Sequence, residues 1–204
     1  MSPKSWSETL IPLLGEMRGE LGRHDMVTVA TLTGASLHGP HTLYIPFWDD
    51  EWLVRFPEAT IHGLTGQTIT PEKEAMLLYY LTHADGTTPA GRWIAFRELP
   101  NGMFYAQAFQ GYSGNRLARH FVNDIEAFES AAASRGGQRS EGGDATYVFW
   151  PLPRIGLAAQ YWRGDDEFAP RAYILFDAAA SHYLPTDGLA VLGSQLVSRL
   201  IKAP

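Results

Sequence analysis

Three apolar runs rich in aromatic and β-branched residues follow one another near the C-terminal end of the chain. They are Tyr147–Trp150, Ile155–Trp162 and Arg171–Phe176, and turn residues separate them. Such runs predict a three-stranded meander. Strands that come in runs, instead of alternating regularly with helices, favour an antiparallel sheet in an α+β fold over a doubly wound parallel sheet.

The rest of the chain fits the same class. Asn-Gly between two apolar runs is a strong hairpin signal, and Asn101-Gly102 stands between two such runs, after a Leu-Pro step. Further strands are predicted at Met26–Thr33, Thr42–Trp48, Glu51–Pro57, Arg92–Arg97 and Met103–Phe109.

Apolar residues that recur every three or four positions predict about four helices flanking the sheet. Each of these helices has a side chain that could cap its first turn. The cap residues are Ser5, Thr70, Ser113 and Thr186. The predicted fold is therefore α+β, with a mostly antiparallel sheet.

The composition allows one domain. The 204 residues are 45% hydrophobic and 19% charged, which is ordinary for a globular protein able to bury a core without disulfides. A stretch rich in Gly, Ser and Arg near residues 134–143 predicts a mobile loop. We expect a single α+β domain that covers residues 1–204.

Composition also excludes several classes of function. The net charge is −6 and no basic run occurs, so we expect no binding to nucleic acid. The chain has no cysteine, which rules out an iron–sulfur cluster and thiolate zinc sites on it. No segment is apolar enough to cross a membrane or to act as a signal peptide, so we expect a cytoplasmic protein.

Three consecutive acidic residues lie between the last two apolar runs. Asp165, Asp166 and Glu167 would occupy the connection between two strands, where carboxylates can bind a divalent cation. A solvated turn explains the same residues, because exposed carboxylates repel one another only weakly in water. Both interpretations stay open from the sequence.

Other polar and aromatic residues near this acidic loop form a candidate ligand-binding set. Asp177 ends the last apolar run and could cap a turn or face a ligand, while His182 carries a side chain that titrates near neutral pH. The whole set is Arg154, Trp162, Asp177, His182 and Tyr183. No phosphate loop, dinucleotide fingerprint or zincin motif accompanies it.

Several short strings, taken with their order and spacing, resemble the DUF3786 family of bacteria and archaea, a domain of unknown function. They are Trp93–Pro100, Pro151–Pro153, Asp166–Phe168, Ile174–Asp177 and Tyr183–Pro185, and the resemblance covers roughly residues 65–200. The resemblance implies no established activity. Some members of the family carry an additional iron–sulfur segment, and the absence of cysteine separates this chain from them.

Three functions remain open at this point. The first is a non-catalytic module that binds a small molecule or cofactor, or serves a protein partner, since no complete catalytic constellation occurs and aromatic residues are abundant. The second is a metal-assisted, hydrolase-like enzyme in which the acidic loop and Asp177 hold an ion and His182 moves a proton. The third is a purely structural or protein-interaction domain.

Overall fold

The computed structural model describes residues 6–203, which fall into two compact units. Unit 1 contains the described chain up to Thr88, together with Leu152–Arg154 and His182–Leu184. Unit 2 contains Pro89–Pro151, Ile155–Ser181 and the chain from Pro185 onward. Both sheets are antiparallel, which confirms the predicted α+β class.

Unit 1 is built on a four-stranded antiparallel sheet. Alternate residues of its central strands are buried, with Leu43, Ile45 and Phe47 on one strand and Trp52 and Val54 on the next. This period of two is what a half-buried sheet requires. The elements are α1 (Trp6–Leu21), α2 (Met26–Thr33), β1 (Ser36–Leu37), β2 (Thr42–Phe47), β3 (Asp50–Arg55), β4 (Thr60–Gly63) and α3 (Pro71–His83).

The segment Met26–Thr33 is a helix and not the predicted strand. The Asp25 side chain accepts a hydrogen bond from the Thr28 backbone N–H at 2.8 Å, and Gly34 ends the helix in the left-handed conformation with φ 75°. The Thr33 hydroxyl donates to the Val29 carbonyl at 2.7 Å. The caps at Asp25 and Gly34 stabilise the helix, and they outweigh the weak strand preference of Val and Thr.

Helix α3 confirms a cap prediction. Thr70 lies just before the helix, its hydroxyl accepts a hydrogen bond from the Lys73 backbone N–H, and Pro71 occupies the first turn. The predicted cap at Ser5 lies outside the described residues.

Unit 2 contains a five-stranded sheet in the order β5-β9-β8-β7-β6. The predicted meander is confirmed as β7, β8 and β9, and a short strand, β6, lies within the stretch predicted as a loop. The elements are β5 (Trp93–Ala95), α4 (Ala106–Tyr112), α5 (Gly114–Phe121), α6 (Ile125–Ser134), β6 (Gln138–Ser140), β7 (Ala145–Leu152), β8 (Ile155–Trp162), β9 (Arg171–Asp177) and α7 (Thr186–Ile201).

The hairpin predicted around Asn101-Gly102 does not form. β5 pairs with β9, and the chain from Gly102 to Tyr105 makes a 3-10 turn that leads into α4. Gly102 is required there, because a Cβ at this position would lie 1.9 Å from the backbone oxygen of Phe96. The Asn-Gly pair therefore serves a tight turn into a helix.

Two of the residues predicted as helix caps form other hydrogen bonds instead. The Ser113 hydroxyl donates to the Phe109 carbonyl at 2.5 Å, and the Thr186 hydroxyl donates to the Pro100 carbonyl at 2.6 Å. Neither caps the helix that follows it.

None of the helices in the described part of the chain is both long and apolar enough to cross a membrane.

Candidate functional site

The acidic loop is organised by its first carboxylate. Asp165 Oδ1 accepts hydrogen bonds from the backbone N–H groups of Glu167 at 2.9 Å and of Phe168 at 2.7 Å. These bonds, the one from Glu167 first, lower the pKa of Asp165. Asp166 and Glu167 are exposed to solvent. The geometry is that of a solvated turn closed by an aspartate.

Asp177 stands apart from this loop. The loop precedes Arg171 at one end of β9, and Asp177 is the last residue at the other end, about 20 Å away at the rise of an extended strand. Among residues 6–203, no group of three or more His, Asp and Glu side chains is placed to hold a metal ion. The geometry therefore gives no support to an ion held jointly by the loop and Asp177.

Asp177 is fully buried and binds backbone groups. Its Oδ1 accepts from the N–H groups of Ala90 and Ala179, both at 2.9 Å, and its Oδ2 accepts from the Gly91 N–H at 2.7 Å. Such bonds satisfy a buried carboxylate without a cation. Asp177 therefore holds the connection before β5 against the end of β9.

Three of the predicted ligand-binding residues lie together in unit 1. The Arg154 backbone N–H donates to the Tyr80 hydroxyl at 3.1 Å, and the rings of Tyr80 and Tyr183 stack with centroids 5.5 Å apart. The Tyr183 hydroxyl donates to the Thr87 carbonyl. Burial raises the pKa of Tyr183, and nearby Arg154 opposes that rise. Through these hydrogen bonds and the ring stacking, the two buried tyrosines connect several loops of unit 1.

His182 joins the same cluster through a carboxylate. Its Nδ1 lies 2.6 Å from Asp85 Oδ2 and 3.2 Å from the Thr87 hydroxyl. Hydrogen bonds, from the Thr87 side chain first and then from His182, lower the pKa of Asp85 from 3.8 to about 2. Asp85 and His182 are both about half exposed, so water screens their interaction.

The interaction between Asp85 and His182 predicts that the stability of the fold depends slightly on pH. Because the folded-state pKa of Asp85 is below its unfolded value, ionised Asp85 stabilises the fold above about pH 4, and this contribution is lost as the pH falls towards about 2. Asp85→Asn should flatten the decline of Tm in this range, measured by thermal unfolding at successive pH values. An equal flattening in the exposed control Asp166→Asn would contradict this assignment.

Trp162, the fourth predicted ligand residue, lies on the face of the unit 2 sheet that we call the open face. Phe109 of α4 and Phe128 of α6 pack on the opposite face, against Phe176 and Tyr161 respectively. The open face carries partly exposed aromatic and apolar side chains. They are Trp93, Ala95, Trp150, Trp162, Tyr173 and Leu175.

The open face is held together by ring contacts. Trp162 and Tyr173 meet edge to face with centroids 5.3 Å apart. Trp93 and Trp150 both reach over Gly156, where a Cβ would come within 3.1–3.2 Å of both indole rings. Glycine at this position leaves room for the two tryptophans to cover the strand.

A cavity opens where the open face reaches the edge of the sheet. β5 pairs only with Leu175–Asp177, and after Ala95 the chain turns away from β9. Further along β9, the Gln110 side chain of α4 donates to the Ala172 carbonyl at 2.9 Å. The gap between these two contacts is a cavity of about 410 Å³, which we call the edge pocket.

The lining of the edge pocket is mostly apolar, with a few polar groups. The apolar lining residues are Ala95, Phe96, Ala106, Phe109, Ile174 and Leu175, and the polar ones are Arg97, Gln107, Gln110 and Tyr173. Of the described residues that line the pocket, Arg97 is the only charged one. Gln107 and Gln110 are three residues apart on α4, so both lie on the side of the helix that borders the pocket.

Sequence reasoning missed this pocket. It treated Met103–Phe109 as a strand and so placed Gln107 on a sheet. The available signal was the helical spacing of Gln107 and Gln110 beside the apolar residue Phe109.

Comparison with known proteins gives one result. The sequence model of the DUF3786 family matches residues 25–199, nearly the whole chain, and begins well before residue 65, where the short motifs begin. No curated protein and no solved structure matches the chain significantly. The resemblance indicated by the motifs is confirmed, and the chain belongs to the family described as a domain of unknown function (DUF3786).

Proposed function

We propose that this protein is a non-catalytic binding module that holds a small anionic molecule with an apolar body in the edge pocket. The observation that carries the proposal is the pocket itself, an apolar cavity of about 410 Å³ bordered by a few polar side chains. Its size falls within the roughly 300–1,000 Å³ of typical small-molecule sites. The adjoining Tyr173 and Leu175 extend the apolar surface onto the open face.

The positively charged side chain of Arg97 indicates that the ligand carries a negative charge. This exposed guanidinium makes no hydrogen bond or ion pair with any described residue. A guanidinium offers a planar fork of donors that matches a carboxylate or phosphate oxygen pair. A ligand with an anionic head beside Arg97 and an apolar body against Phe96 and Phe109 would satisfy both parts of the lining.

The lining also explains why we propose binding without catalysis. The described lining residues include no carboxylate, histidine or lysine. Apart from the Tyr173 hydroxyl, the described lining offers none of the side chains that usually serve as a general acid or base.

Arg97→Gln tests the proposal with a defined pair of probes. Naphthoate carries a planar apolar body and a carboxylate, and naphthamide is its neutral counterpart. We expect wild-type protein to bind naphthoate more tightly than naphthamide. Arg97→Gln should weaken naphthoate binding by about tenfold to a hundredfold, because a charge-assisted hydrogen bond is lost, and leave naphthamide unchanged. Isothermal titration calorimetry measures both affinities.

Two further variants test whether binding depends on the position of the arginine and on the space in the pocket. Arg92→Gln removes an exposed arginine that does not line the pocket and should leave both affinities unchanged. Ala106→Leu fills the pocket and should weaken both probes equally. The proposal fails if wild-type protein binds neither probe, or if Arg92→Gln and Arg97→Gln weaken naphthoate binding to the same degree.

A further inference from the structure

Three consecutive large side chains project from the 3-10 turn before α4. Met103 is 69% exposed, Phe104 82% and Tyr105 68%, and we call them the apolar knob. Single exposed apolar residues are ordinary on protein surfaces. An exposed group of this size is comparable to the largest apolar patch of a typical monomer, and such patches often mark an interaction surface.

The backbone holds the apolar knob in a fixed position. Asn101 adopts the left-handed conformation with φ 59°, and Gly102 packs directly against the Phe96 carbonyl. The Gly102 N–H donates to the Leu99 carbonyl at 2.9 Å, and the Pro100 carbonyl accepts from the Thr186 hydroxyl at 2.6 Å. A backbone fixed in this way loses little conformational entropy when a partner covers it, so mainly the side chains must be ordered.

The charge pattern indicates the kind of partner. Residues 99–115 contain no charged side chain, although the whole chain has 22 acidic residues, 16 basic residues and a net charge of −6. Two copies of an acidic chain repel each other where their charged surfaces meet. Contact through an uncharged segment avoids that repulsion, and such a segment offers nothing to attract a strongly charged partner.

The area of the patch fits a two-fold arrangement. Tyr112, which is 44% exposed, is the last residue of α4, and Tyr105 is the residue just before that helix. The knob and Tyr112 together expose roughly 550 Å² of side-chain surface if each large side chain contributes about 150–250 Å² when fully exposed. A two-fold contact uses the patch twice, which gives about 1,100 Å², just above the lower limit for a specific interface.

We propose that a second copy of this chain docks on the apolar knob and forms a two-fold symmetric dimer. This proposal does not depend on a ligand in the edge pocket, and its test uses no ligand.

Sedimentation equilibrium over a wide range of protein concentrations tests the dimer. We expect wild-type protein to show a monomer–dimer equilibrium. Phe104→Ser should raise the dissociation constant by at least about thirtyfold, as expected for an aromatic hot spot. The side chain is mostly exposed, so the variant should remain folded. The control Phe168→Ser changes another exposed phenylalanine, 58% exposed on the acidic loop, and should leave the equilibrium unchanged.

A single introduced thiol provides an independent readout. The chain has no cysteine, so Met103→Cys creates the only reactive site for a short bis-maleimide. We expect a crosslinked dimer from Met103→Cys and its loss in the double variant with Phe104→Ser. The proposal is overturned if wild-type protein is monomeric at every concentration, or if Phe104→Ser leaves both the equilibrium and the crosslink unchanged.

Discussion

Replacing Asp177 with alanine should destabilise the fold by about 3–5 kcal/mol. The side chain is fully buried and accepts three backbone hydrogen bonds, from Ala90, Gly91 and Ala179. Alanine would leave three backbone N–H donors without their acceptor, one of them in buried Ala179 and two in the exposed residues Ala90 and Gly91. A typical domain is stable by about 5–15 kcal/mol, so we expect a large shift of the urea unfolding midpoint, monitored by circular dichroism.

Asparagine at the same position gives a graded test. Its Oδ1 can keep the bonds from Ala90 and Ala179, but its Nδ2 would face the Gly91 N–H, donor against donor. We therefore expect Asp177→Asn to cost about 1–3 kcal/mol, less than Asp177→Ala. The exposed control Asp166→Ala should change stability by less than about 0.5 kcal/mol. Equal stability of wild type and Asp177→Ala would show that the carboxylate does not hold the connection before β5.

Phe176→Ala should also cost about 3–5 kcal/mol. Phe176 is fully buried, and its ring lies 6.0 Å from that of Phe96 and 5.7 Å from that of Phe109, centroid to centroid. Deleting the ring removes apolar burial and leaves a cavity between β9 and α4 that the rigid strands cannot close. The free energy of unfolding in urea measures the loss.

The Phe176 variant also connects the core to the edge pocket. Phe96 and Phe109 line the pocket and pack on Phe176, so Phe176→Ala should weaken binding of naphthoate and naphthamide together. Phe168→Ala removes an exposed ring and should cost less than about 0.5 kcal/mol. If the two phenylalanine variants had the same stability, the aromatic packing described for unit 2 would be wrong.

The elements that the sequence predicted correctly have local causes. Helix α3 follows from Thr70 as the cap and Pro71 in the first turn. Strands β7, β8 and β9 follow from apolar runs bounded by turn residues. Residues a few positions apart contain this information, so no knowledge of distant contacts was needed.

The errors arose where local signals competed. Met26–Thr33 is rich in β-branched residues, but Asp25 and Gly34 cap it as a helix. Capping contributes about 1 kcal/mol at a single residue, whereas β-propensity depends on a partner strand. At Asn101-Gly102 the local sequence favoured a hairpin. The distant strand β9 pairs with β5 instead, in the position that the second strand of the hairpin would have taken.

The predicted site residues separated into groups that only the tertiary structure could define. Arg154 and Tyr183 meet at Tyr80 in unit 1, where His182 and Tyr183 both contact Thr87. Trp162 and Asp177 belong to unit 2. The type of each side chain was visible in the sequence. Whether Asp177 would face a ligand or bind three backbone N–H groups depended on the loop that folds over it.

The sequence by itself determined the α+β class, most of the strands and the family, because periodic patterns and turn residues act over short distances. It also excluded cysteine chemistry. Only the tertiary structure decided where the edge pocket lies. The pocket exists because three-residue β5 ends before it covers β9, and because α4 closes the other side through Gln110. Both contacts join residues far apart in the chain, and local preferences do not encode such pairings.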